Sequence, residues 1–125
     1  MVSVICTVSE KEIQEAVIKD LKDYRALKVK LENIKERNEV GAINLFPNLN
    51  KVEPFDELKA KQIERALTQS LDPIERKIIE IKYLYTNEKE TTDLEIYLSL
   101  GLKKGKFYTK KREAISQLAK ALGII

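Results

Sequence analysis

Six lysines and arginines fall within ten residues: Lys103, Lys104, Lys106, Lys110, Lys111 and Arg112. Gly105, Phe107, Tyr108 and Thr109 are set among them. These residue types suit a polyanion. Lysine and arginine neutralise phosphates and release counterions. Arg112 carries the planar fork that pairs with guanine, and Thr109 can meet a base edge or a thymine methyl. Gly105 lets a backbone come close to a phosphate. With a turn of about 100° per residue, Phe107, Ala114, Leu118, Ala121 and Leu122 share one face of a helix over about 104–122. Gly105, Thr109, Arg112 and Ser116 take the opposite face, flanked by Tyr108 and Lys120. The helix therefore has a basic end that protrudes and an apolar end that docks. Lys104, Lys106, Lys111 and Lys120 are candidate phosphate contacts, and Tyr108, Thr109 and Arg112 are candidate base readers.

A charge run by itself usually marks a solvated face, so the neighbouring elements decide. Thr92 and Glu95 have capping-box spacing and start a short helix that ends near Leu100. Gly101 supplies the left-handed stop. Two helices joined by about three residues form a helix-turn-helix, whose second helix enters the major groove. The apolar positions Ile96, Leu100, Leu102 and Phe107 would hold the pair together. Before them, Asp72 caps a helix with Pro73 in its first turn and Glu75 at the third position. Ile74, Ile78, Ile81 and Tyr85 share a face of that helix. Ile79 and Leu84 lie off it, so burial on more than one side is expected. Asp56 is the expected cap of a helix over 57–70, with Ala60, Ile63, Ala66 and Leu67 inward.

Residues 41–55 hold one glycine, two prolines and three asparagines and read as a connector,. Leu45, Phe46 and Leu49 are expected to tether it to a core. Ser9 with Glu12 opens a helix to about residue 39. Ile13, Val17, Tyr24, Leu27, Leu31 and Ile34 lie near one stripe, which Asp20 interrupts. The stripe either packs on the rest of the chain or forms a dimer seam over 13–38. Residues 2–8 read as a short strand or an extended arm.

Charge is uneven along the 125 residues. Residues 1–71 hold 12 basic and 12 acidic side chains, and residues 72–125 hold 11 and 8. The whole excess lies in the last helix, which points to a nucleic acid as partner. The sequence has no histidine and one cysteine, which excludes histidine-based triads, internal disulfides and cysteine or histidine metal clusters. Cys6 reads as a small buried apolar residue, with a reactive thiol as the alternative. No glycine-rich phosphate loop or metal-spaced cluster occurs, so no enzyme, cofactor or metal is expected. "VSVICTV" is too short to span a membrane and lacks the basic flank of a signal peptide. A cytoplasmic protein with no membrane partner is expected.

The stretch from Thr92 to Leu122 resembles region four of bacterial sigma factors. Thr92, Glu95, Ile96, Leu100, Gly101, Leu102, Ala114 and Leu118 carry that likeness. The chain is also similar to the ArpU family of phage transcriptional regulators. "ERKIIEIKYL" at 75–84, "DLEIYLSLG" at 93–101 and "GKFYTKKREAISQLAKALGI" at 105–124 match its motifs. Lys103 stands where relatives often have a serine cap, and Lys110 where they often have an apolar residue. The resemblance implies a regulator of phage late genes acting in a bacterial host, and a sigma-like contact with RNA polymerase.

The sequence thus predicts an all-α protein: a long N-terminal helix plus a C-terminal sigma region-four-like helix-turn-helix bundle. The expected division is 1–40 for the arm and long helix, with possible dimerisation there, 41–55 for the connector, and 56–125 for the DNA-binding domain. The expected function is sequence-specific binding of double-stranded DNA to regulate transcription. The alternative is a non-catalytic interaction or DNA-packaging adaptor, like a small terminase subunit.

Overall fold

A computed structural model describes residues 8–42, 44–47, 55–85 and 91–125. The described residues form five α-helices and no strand: α1 (Glu10–Val40), α2 (Asp56–Gln69), α3 (Pro73–Ile79), α4 (Asp93–Ser99) and α5 (Lys104–Ala121). A π-helical turn, Glu80–Leu84, continues α3. No helix among the described residues is long and apolar enough to cross a membrane. The expected strand or arm at 2–8 falls almost wholly outside the described residues, as does Leu49 of the connector.

Local chemistry sets most helix ends. The Glu12 N–H donates to Ser9 Oγ at 3.1 Å, and the Glu95 N–H to Thr92 Oγ1 at 3.2 Å. At α3 the capping box is complete. The Glu75 N–H donates to Asp72 Oδ1 at 2.7 Å, and the Asp72 N–H to Glu75 Oε1 at 2.9 Å. That second bond satisfies the carboxylate of the buried Glu75. Gly101 ends α4 with φ +68°. The Leu102 N–H reaches back to the Tyr97 carbonyl at 2.9 Å and the Gly101 N–H to Leu98 at 3.2 Å, the paired bonds of a Schellman stop,.

Asp56 does not cap α2. Phe55 occupies the cap position without a side-chain bond, and Asp56 instead accepts from Lys30 Nζ at 2.6 Å, tying α2 to α1. The far end of α2 is closed from outside. Arg76 donates from Nε to the Leu67 carbonyl at 3.1 Å and from an Nη to the Thr68 carbonyl at 2.6 Å. Those carbonyls belong to the last turn, which has no helical partner of its own.

Two apolar clusters share α3 and α5. The larger one joins Val17, Leu21, Tyr24 and Leu27 of α1 to Ala60, Ile63, Ala66 and Leu67 of α2, with Ile79, Tyr83, Ala114, Ile115, Leu118 and Ala119. The smaller is Ile78, Ile96 and Phe107, with Ile81, Tyr97, Leu100 and Leu102 against it. Ile78 and Ile79 therefore face different clusters, and α3 is buried on two sides as expected. The stripe on α1 is continuous because Leu21, fully buried, fills the gap left by Asp20. Asp20 sits beside the stripe, 3.5 Å from Lys59. The proximal stripe of α1 thus packs within its own chain. Of the seam expected over 13–38, Leu31 is half-buried and Ile34 is exposed.

Several expected burials do not occur, and Ile74, on the expected inner face of α3, is 40% exposed. Tyr85 is 55% exposed. The π turn adds a residue to the helical repeat, which rotates Tyr83 into the core and Tyr85 out of it. Leu45 and Phe46 are also exposed, so they do not tether the connector. Phe46 lies under the Arg37 guanidinium, 5.6 Å from its ring centre, at the end of α1.

Candidate functional site

The first two turns of α5 carry most of the expected site. Phe107, fully buried, fixes this end against Ile78 and Ile96. Its ring meets Tyr97 at 5.7 Å and Tyr108 edge-on at 5.1 Å. With Phe107 held inward, Lys104, Gly105, Lys106 and Thr109 are exposed.

Lys103 occupies the cap position and makes no side-chain capping bond. The first amides of α5 consequently have no side-chain acceptor, and a helix start of this kind favours anions. Lys103, Lys104 and Lys106 are exposed there and form no ion pair among the described residues. A Cβ built on Gly105 would meet nothing within 4 Å. Glycine inside a helix costs about 0.5–1 kcal/mol relative to alanine, and no packing within the described residues requires it at this position.

Behind this end the cations are committed. Lys110, half-buried, donates to Asp72 Oδ2 at 2.7 Å. The Glu75 amide and then Lys110 hold the Asp72 carboxyl below its ordinary value of 3.8, while the bond that Lys110 donates to Asp72 raises Lys110. An apolar residue at 110 would pack at this edge; the lysine instead bridges α5 to the cap of α3. Lys111 is only 14% exposed and lies 3.5 Å from Asp93 Oδ2. Lys82, on the π turn, lies 3.2 Å from the buried Oδ1, an ion-pair contact without hydrogen-bond geometry. Asp93 thus joins the π turn, α4 and α5. Desolvation, followed by the Asp93 charge, raises the Tyr108 hydroxyl above its ordinary value. Burial and then Asp93 push Tyr83 up to about 12.

Thr109 is exposed, with its hydroxyl donating to the Gly105 carbonyl at 3.0 Å. Arg112 contacts α1: its Nε lies 3.0 Å from Glu10 Oε1, with side chains 68% and 72% exposed. Lys120 is exposed in the last turn of α5, roughly 24 Å from Lys104 at 1.5 Å per residue. The fold therefore gathers Lys104, Gly105, Lys106, Tyr108 and Thr109, turns Lys111 inward, holds Arg112 against α1 and leaves Lys120 apart.

The buried arc of α5 is shifted from the expected one. Ile115 and Ala119 are buried, and Ala121 is exposed. The cause is α1, which covers α5 along that side. Beside the contact lies a groove of about 690 Å³, lined among others by Val8, Ile13, Tyr108, Arg112, Ile115 and Ser116. The sequence reading missed Lys103 as a member of the cationic end, and missed Asp72, Asp93 and Glu10 as partners of Lys110, Lys111 and Arg112. Lys103 adjoins the run and could have been included. The acids come from distant segments and carry no local signal. No family model, curated protein or solved structure matches the chain.

Proposed function

We propose that the chain is a sequence-specific DNA-binding regulator of transcription, with α4 and α5 acting as a helix-turn-helix. The observation that carries this reading is the start of α5. It combines an uncapped helix end, three exposed lysines and a bare Gly105 with clear space around it. A phosphate would satisfy the orphan amides and the lysines together. Thr109, Tyr108 and Arg112 follow on successive turns, within reach of base edges once that end is seated. The Gly101 stop and the Ile78–Ile96–Phe107 cluster support a fixed angle between the two helices. The resemblance to sigma region four and to the ArpU family supports a role at phage or prophage promoters, with RNA polymerase as a further partner. Pairing of two copies on adjacent half-sites would fall to α1 beyond Leu27, where Val29 and Ile34 are exposed.

The experiment is selection of bound duplexes from a library of genomic fragments. The reading predicts enrichment of one sequence, and recovery without sequence preference contradicts it. A second reading, a protein-interaction module, is favoured by Leu94 and Leu98. They lie one turn apart on α4 and are 52% and 65% exposed. An adaptor would show little affinity for duplex DNA at any salt concentration.

A further inference from the structure

The Glu10–Arg112 contact joins two residues about a hundred positions apart in the sequence, and α1 is not part of the helix pair assigned to DNA. We infer that Glu10 is a positioning residue for base reading: it holds the Arg112 guanidinium so that its terminal nitrogens are presented to a guanine. The inference rests on the reading of α5 as the DNA-reading helix.

Three observations carry it. The first is the atom used. Glu10 Oε1 lies 3.0 Å from the Nε of Arg112, an ion-pair contact without hydrogen-bond geometry. Guanine recognition needs two parallel donors of the guanidinium fork. A carboxylate on Nε leaves the two terminal nitrogens for that purpose, so the pair orients the fork without occupying it. The second is the anchor behind Glu10. The Ser9 cap fixes the first turn of α1, and Val17 and Leu21, both fully buried, seat α1 in the cluster that includes Ile115, Leu118 and Ala119 of α5. Its backbone is therefore carried by a helix seated in the core rather than by a loop. The third is charge. Residues 103–112 hold six basic side chains and no acid. Glu10 places one negative charge beside that surface, where it repels a charged phosphate more strongly than the partial charges of an uncharged base edge. Acid and arginine together thus favour a guanine edge over backbone, which raises discrimination rather than overall affinity.

The pair is mostly exposed, and such pairs contribute little to folding. Its consequence should appear in specificity. The probes are a duplex selected by the wild-type protein from a randomised library, the same duplex with 7-deazaguanine at each guanine in turn, and a random duplex of equal length. Glu10→Gln, which keeps shape and removes charge, should weaken the selected duplex about two- to fivefold, within what an exposed pair of this kind can supply. Binding to the random duplex should stay equal or rise by about twofold. The 7-deazaguanine position that penalises the wild type should penalise Glu10→Gln less. In an Arg112→Ala background Glu10→Gln should no longer reduce discrimination, because the group it positions is gone. Equal loss on both duplexes, or unchanged discrimination in Glu10→Gln, overturns the positioning role while leaving DNA reading intact. If the library yields no enriched sequence, the DNA reading itself falls, and this inference with it.

Discussion

Gly105→Ala separates stability from binding, because the structure predicts a gain in the first and the proposed DNA contact a loss in the second. Gly105 lies in the first turn of α5, and a Cβ there has no neighbour within 4 Å. The methyl group therefore meets no clash, and the unfolded chain loses freedom. The expected gain is about 0.5–1 kcal/mol, or roughly 2–6 °C in melting temperature for a chain of this size. In the proposed complex the same methyl would stand between the backbone and a phosphate. Loss of one charge-assisted amide contact, about 1.4 kcal/mol, is tenfold in affinity. Thermal melting by circular dichroism and anisotropy titration of a labelled duplex measure the two effects. A variant that melts higher and binds about tenfold more weakly fits the reasoning. One that melts lower shows that the glycine has a role in folding. One that melts higher and binds as the wild type does refutes the close approach of a phosphate.

Arg112→Ala should reduce preference for a selected duplex by about 1–3 kcal/mol, whereas Lys120→Ala should weaken selected and random duplexes by one common small factor. Both should melt within about 0.5 kcal/mol of the wild type, as exposed positions usually do. Asp72→Asn keeps a capping oxygen and removes the charge that Lys110 meets. The carboxyl of Asp72 is depressed in the folded chain, so its contribution is present above the ordinary value of 3.8 and is lost as pH falls through the folded value. Calorimetry should find the variant less stable than the wild type at pH 7 and the gap closing in strong acid. Leu21→Ala removes a fully buried side chain and should cost about 2–5 kcal/mol in chemical denaturation; a surface-like cost would show that α1 does not belong to the common core.

The residues that announced the helices act over three or four positions. Ser9, Asp72 and Thr92 each bond the amide three residues on, and the Gly101 stop closes within six residues. Such chemistry is legible in the sequence because both partners lie side by side in it. The pattern Ile96, Leu100, Leu102, Phe107 was legible for the same reason. What was hidden depends on distant partners. Ala121 faces outward and Ile115 inward because α1 lies along one side of α5, which periodicity alone does not reveal. Tyr85 leaves the core because of the π turn, and no glycine or proline marks that turn in "EIKYL". Asp56 bonds Lys30 of α1, and Phe55 holds the cap position of α2. The basic character of the site was plain from charge. Which cations are spent on Asp72, Asp93 and Glu10 was not, because each acid reaches α5 from a different element.

The central claim is that the exposed basic start of α5 binds the phosphate backbone of DNA. The most direct measurement is the affinity for a random duplex across a salt series. Lys103, Lys104 and Lys106 are exposed and, among the described residues, form no ion pair. Lys120 adds to them, while Lys110, Lys111 and Arg112 each face a carboxylate. With about three to four phosphates neutralised, the plot of log affinity against log salt should fall with a slope of roughly −2.7 to −3.6. Replacing Lys104 and Lys106 by alanine together should reduce that slope by about two. A slope near zero, or one that the double replacement leaves unchanged, would contradict the claim.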